Sequence, residues 1–150
     1  MALKNQPYLP LYVNDFLTDQ KLIECSASST GIYIRLMCLM HKSKEYGKIG
    51  LKEKDKLYEN NIENFAFKIA KLIPYAVDEV KKALKELIDE EVLNIENNDL
   101  RQERMIRDYE ISEVRATSGK LGNFARAKHS ANTSAKPLAK PLAKSEYEYE

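Results

Sequence analysis

The chain has 150 residues, 43% of them hydrophobic and 31% charged, with a formal net charge of +1. That is enough for one domain with a modest core, or for one domain and a tail. The whole-chain charge points to no class of partner, no stretch reaches the roughly 20 apolar residues of a bilayer span, and the two cysteines, Cys25 and Cys38, fit neither a zinc ribbon nor a disulfide scaffold.

Pro7 and Pro10 keep Gln6 to Tyr12 extended. Val13 to Leu17 turns the chain, and Thr18 or Asp19 caps a short helix running to Glu24. The next helix opens at Ser28, Ser29 or Thr30. Within it Ile32, Leu36, Leu39 and Met40 recur at helical spacing with Tyr33 and Met37 beside them, the pattern of a central core helix. It ends near Ser43, where Lys42 and Lys44 suit the negative end of the helix dipole, and Gly47 breaks the pattern. Lys48 to Leu51 has room only for a short strand. Lys54 to Leu72 is helical, in one piece or in two around Asn60-Asn61, with Ile62, Phe65, Ala66, Ile69 and Leu72 on one face and Pro74 as its stop.

Asp78 begins an amphipathic helix whose apolar stripe is Val77, Val80, Leu84, Leu87 and Ile88. It runs almost without a linker into a hairpin. Asn97-Asn98 tolerate the positive φ angles of a two-residue turn, and that register pairs Ile95 with Leu100 on the core face and Asn94 with Arg101 on the outer face. Arg104 to about Arg115 reads as a last helix, with Ile106, Tyr109 or Glu110, and Val114 at workable spacing. Beyond it Thr117-Ser118-Gly119 and Gly122-Asn123 interrupt the periodicity, and the repeat KPLA-KPLA-K from Lys136 to Lys144 cannot bury a core. The expected fold is mostly α with a small β-hairpin (α+β). It is a winged helix-turn-helix with an extended N-terminal segment over residues 1–114, followed by a flexible basic linker or tail over 115–150.

Charge is unevenly distributed. Residues 1–114 carry 17 Lys/Arg against 20 Asp/Glu, whereas every charged residue from Arg115 to Lys144 is basic. Three groups of cations are candidates for phosphate contact. Lys81, Lys82 and Lys85 lie on the helix before the hairpin, mixed with Glu79, Glu86 and Asp89. Arg101, Arg104 and Arg107 lie on and after the hairpin. Lys120, Arg126 and Lys128 belong to the tail, which has no aromatic platform beyond Phe124, so non-specific phosphate contact is expected there rather than base stacking.

Catalytic signatures are not evident. His41 and His129 have no partner at metal-ligand spacing, so no metal or other cofactor is expected. Cys25 sits in CSASST, which matches no nucleophile motif, and Cys38 falls within the core helix; both read as reduced, partly buried structural thiols. Gly119 and Gly122 do not make a phosphate loop, and Asp89-Glu90-Glu91 reads as a solvated helix end. The N-terminus lacks a basic, apolar and small-residue leader pattern, which leaves a cytoplasmic protein as the expectation.

Four segments carry a resemblance: Tyr8-Leu9-Pro10-Leu11-Tyr12-Val13-Asn14-Asp15-Phe16, Ser29-Thr30-Gly31-Ile32-Tyr33-Ile34-Arg35-Leu36-Met37, Leu100-Arg101-Gln102-Glu103-Arg104 and Ser118-Gly119-Lys120-Leu121-Gly122. Over about residues 7–124 the chain resembles the DUF1376 family of phage and prophage proteins. These are related to the N-terminal winged-helix domains of phage replisome organisers and similar in role to bacterial DnaD-type primosome proteins. The resemblance implies a non-catalytic DNA-binding accessory protein of replication initiation in a bacterial host cell. It would bind origin or non-specific DNA, with host replication proteins and a second copy of itself as further partners. The alternatives are a winged-helix interaction or dimerisation module that does not touch DNA, suggested by the acidic body, and a winged-helix transcription regulator.

Overall fold

The computed structural model describes residues 3–132, with side-chain surroundings for 3–119, 121 and 122. The chain divides into two units, Met1–Val114 and Arg115–Glu150. The first holds helices α1 (Val13–Thr18), α2 (Gln20–Ile23), α3 (Ala27–Lys42), α4 (Asn61–Ala70) and α5 (Val77–Asp89), a 3-10 turn (Glu53–Asp55), and strands β1 (Lys48–Gly50), β2 (Asn94–Glu96) and β3 (Asp99–Arg101). A sixth helix, α6 (Glu103–Asn132), begins in the first unit and supplies residues to the second. The fold is thus mostly helical with a small antiparallel sheet.

Helix starts follow local chemistry where a polar side chain is at hand. Asp19 accepts from the Lys21 N–H at 3.1 Å and caps α2, as expected. α3 starts earlier than its serine run suggested. Ser26 is its cap, receiving the Ser29 N–H at 3.1 Å, and the Glu86 carboxylate of α5 accepts from both the Ser26 N–H and hydroxyl at 3.0 Å. An anion at a helix N-terminus satisfies donors that have no partner within the helix. Val13 to Leu17 is not a turn but the body of α1, which buries none of its residues.

Of the stretch expected to be helical over Lys54 to Leu72, in one piece or in two, α4 occupies only Asn61–Ala70, so a break does fall at Asn60-Asn61; Glu53–Asp55 is a 3-10 turn, and residues 56–60 are held out of helical form by a buried side chain. Asn64, 1% exposed, accepts from the Tyr58 N–H and donates to the Tyr58 carbonyl, both at 2.8 Å, copying a strand pairing. Asn60 then caps α4 through the Ile62 N–H. Leu72 falls beyond the helix and is 58% exposed rather than on the apolar face.

The core forms where the stripes of α3, α4 and α5 meet the sheet. Leu36, Met40, Phe65, Ile69, Val80, Leu84, Leu87, Leu93 and Leu100 are all at most 2% exposed. Each such side chain contributes about 1.5–3 kcal/mol through burial. The strand order is β1-β3-β2, and the hairpin register is the expected one: Ile95 faces Leu100 and Asn94 faces Arg101. Leu100 is fully buried, while Ile95 is only half-buried at the sheet edge. Of the two turn residues only Asn97 takes a positive φ, 59°.

α5 ends without a glycine. Glu91 takes the left-handed conformation, φ 62°, and the Val92 and Glu91 N–H groups return to the Leu87 and Ile88 carbonyls at 2.8 and 3.0 Å. The last helix does not stop near Arg115 but continues to Asn132. Gly119 and Gly122 each cost about 1 kcal/mol inside a helix, and the surrounding Ala, Leu, Lys and Arg residues are strong helix formers. Val114, expected at a core-facing spacing, is 65% exposed, whereas Ile106 is buried and Tyr109 half-buried. The KPLA repeat lies outside the described residues. Cys38 is exposed on the outer side of α3 rather than partly buried, and Cys25 is half-buried.

Candidate nucleic-acid interface

The cations singled out by sequence separate into those already neutralised and those facing solvent. On α5, Lys81 reaches across to α4 and its Nζ lies 2.7 Å from Glu63 Oε1. That carboxylate raises the Lys81 pKa through a hydrogen bond and charge attraction. Lys82 and Lys85, three residues apart and hence neighbours on the helix surface, are exposed and make no hydrogen bond or ion pair among the described residues. Glu86 was expected to offset them. Its carboxylate is instead turned to the start of α3, where the Ser29 hydroxyl, the Ser26 N–H and the Ser26 hydroxyl hold its pKa below the usual range; the charge of Lys82 adds to the same effect.

The hairpin arginines are more engaged than their spacing implied. Arg101 on β3 forms a two-pronged pair with Glu103, Nε to Oε2 at 2.7 Å and Nη2 to Oε1 at 3.3 Å, with Glu96 a further 3.5 Å partner. Only 19% of its side chain is exposed. A bidentate guanidinium–carboxylate pair occupies the same donors that a phosphate would need. The pairing raises the Arg101 pKa and lowers that of Glu103.

Arg104 is a clamp. Its Nη1 lies 2.6 Å from Asp15 Oδ2, and its guanidinium carbon stacks 3.7 Å over the centre of the Tyr12 ring. The Tyr12 hydroxyl donates to Asp108 Oδ2 at 2.8 Å, and this bond to a carboxylate pushes the phenol pKa up. Tyr12 and Asp15 belong to the N-terminal segment. The pair at the start of α6 thus ties that segment to the body of the unit.

Arg107 is exposed and makes no hydrogen bond or ion pair among the described residues. Lys120, Arg126 and Lys128 lie on α6, and their side chains are outside the described residues. Of the six candidate cations with described side chains, Lys82, Lys85 and Arg107 face solvent unpaired. Lys81, Arg101 and Arg104 do not.

Around this region the side chains are structural. Gln102 accepts from the Met105 N–H at 2.9 Å to start α6 and donates to the Tyr33 hydroxyl at 2.8 Å. His41 is buried, with Nε2 and Nδ1 each 2.8 Å from an oxygen, the Gln6 carbonyl and the Tyr46 hydroxyl. A carbonyl can only accept, so Nε2 is the donor to Gln6. Tyr46 in turn stacks on Tyr109 of α6 at 5.3 Å.

No family model, curated protein or solved structure matches the chain. Among the described residues, no helix is long and apolar enough to cross a membrane.

Proposed function

We propose that this chain is a non-catalytic DNA-binding accessory protein of phage or prophage DNA replication initiation, built on a winged-helix body and acting in the cytoplasm of a bacterial host. The observation that carries the reading is the run α3, β1, α4, α5 and hairpin, with β3 seated between β1 and β2 and unpaired Lys82 and Lys85 on α5. That order and pairing support a winged-helix reading, in which the helix before the hairpin meets the duplex. The DUF1376-like segments support the same reading. In it α5 supplies Lys82 and Lys85 to backbone phosphates, and Arg107 and the basic residues of α6 add affinity that does not depend on sequence. Host replication proteins and a second copy of the chain are further partners in this reading.

Fluorescence anisotropy with labelled duplex and single-stranded DNA across a salt series tests it. If about five phosphates are neutralised, log K falls with log salt at a slope near −4 to −5. Removing Lys82 and Lys85 together as Lys82→Gln and Lys85→Gln reduces the duplex slope by about 1.8. The same change at the paired Lys81 and Arg101 reduces it by much less. Affinity that does not change with salt refutes DNA binding.

One observation favours a second reading, an interaction or dimerisation module. Tyr8, Val13, Leu17 and Ile23 are each more than half exposed on the N-terminal segment and its two short helices. A dimer in sedimentation equilibrium, together with no DNA binding at low salt, would replace the first reading with this one.

A further inference from the structure

A separate cluster of cations was not evident from the sequence. After β1 the chain leaves the sheet at Leu51, makes the turn Glu53–Asp55 and returns as α4. Between that turn and the end of α4 lies an open pocket of about 360 Å³ lined by Lys52, Lys54, Asp55, Lys68, Lys71 and Leu72. Four of the six lining residues are lysines.

The single carboxylate is already occupied. Asp55 Oδ2 accepts from the Lys52 N–H at 2.8 Å and from Lys68 Nζ at 2.9 Å. The Lys68–Asp55 pair is the least exposed part of the lining, at 26% and 13% for the two side chains, and its charges cancel. Lys52, Lys54 and Lys71 remain, all exposed and none in an ion pair with a described residue. The end of α4 opposes them with about half a negative charge. Three full cations outweigh it.

The geometry favours one kind of anion. Lysine ammoniums are compact point charges without the planar fork that grips a single carboxylate, and they suit densely charged phosphate oxygens. The cations come from the turn and from the end of α4, so an anion with several linked charged groups can engage more of them than a single charge can. Exposed Leu72 adds an apolar wall that fits a sugar or base edge better than bulk ions. We propose that this pocket binds linked phosphates, supplied by a free polyphosphate or by the backbone of a nucleic-acid strand. The site does not depend on α5 meeting DNA.

Amide NMR of the full-length chain tests it, with tripolyphosphate and a short oligothymidylate titrated separately at constant ionic strength. Saturable shifts at residues 50–56 and 68–72 are expected. In a Lys54→Gln/Lys71→Gln variant, whose two side chains make no ion pair that the fold needs, tripolyphosphate binding weakens at least about tenfold. A Lys82→Gln/Lys85→Gln variant keeps the shifts, which separates this site from α5. Oligothymidylate that gives the same shifts and displaces tripolyphosphate identifies a strand as the ligand; shifts with tripolyphosphate alone identify a free polyphosphate. Shifts that do not saturate, that chloride reproduces at equal ionic strength, or that persist unweakened in the Lys54/Lys71 variant overturn the proposal.

Discussion

Replacing Gly47 by alanine tests how the first unit is held together. Gly47 sits between the end of α3 and the start of α6. Its N–H donates to the Met40 carbonyl at 3.1 Å and its carbonyl accepts from the Gln102 N–H at 3.0 Å. Its φ is +83°, a conformation that costs an L-residue about 1–2 kcal/mol. A Cβ there would lie 2.7 Å from Ile106 Cγ1, 3.0 Å from the Ile106 backbone nitrogen and 3.3 Å from Met105 Cβ. Ile106 is buried and β-branched, and its nitrogen belongs to the first turn of α6, so neither neighbour moves aside cheaply. Overpacking of this kind costs about 1–3 kcal/mol. The lower entropy of an unfolded chain with alanine returns about 0.4–1 kcal/mol. The net expectation for Gly47→Ala is a loss of about 1–4.5 kcal/mol, a large share of the 5–15 kcal/mol typical of a domain. Urea denaturation followed by far-ultraviolet circular dichroism measures it. Gly31→Ala is the internal control: Gly31 is in mid-helix with nothing within 4 Å of its Cβ position, so the change stabilises by about 0.5–1 kcal/mol. If Gly47→Ala lies within about 1 kcal/mol of the parent chain, the left-handed backbone and the close approach to Ile106 are not what require glycine there.

Asn64→Ala removes the clamp on Tyr58 and costs about 1–3 kcal/mol. Amide exchange of residues 56–60 should rise with it; unchanged exchange at Tyr58 would show that the loop is held by something else. Glu91→Gly relieves the left-handed strain at the end of α5 and stabilises by about 0.5–1 kcal/mol after the entropy of glycine is counted. A loss of stability in the same urea assay would contradict this account of the helix end. Stability also depends on acid. The Glu86, Asp55 and Glu103 carboxyls are all held below their ordinary pKa, chiefly by the Ser29 hydroxyl, the Lys52 N–H and the Arg101 guanidinium respectively. The folded chain therefore binds fewer protons than the unfolded chain, so their contribution is present above the unfolded carboxylate pKa and lost as pH falls through the lowered folded values. Glu86→Gln should make the urea midpoint fall less steeply below about pH 4.3; an unaltered pH profile would remove Glu86 from that account.

Much of the architecture was legible because it rests on local information. The 3.6-residue recurrence of Ile32, Leu36 and Met40, and of Val80, Leu84 and Leu87, identifies the faces that become the core. The paired asparagines at 97 and 98 imply the hairpin register that the structure has. Misplaced boundaries trace to partners far away in the chain. The start of α3 depends on Glu86, 60 residues from Ser26. Between one helix and two over Lys54 to Leu72, the choice is made by Asn64, a polar residue at what reads as an ordinary helical position. The lysine pocket gave no sequence signal, because its cations are scattered over residues 52–71 among acidic neighbours and only the return of the chain brings them together.

The same division runs through the candidate interface. By itself the sequence determined which residues carry charge, which faces are apolar and where helix gives way to hairpin, since periodicity, turn residues and propensity act over a few positions. Tertiary structure decided which charges remain available. Arg104 and Arg107 look equivalent three residues apart on one helix. Arg104 is spent on Asp15, 89 positions away, and Arg107 is left to solvent. Ion pairing follows distance through space, and that distance exists only once the chain has closed on itself.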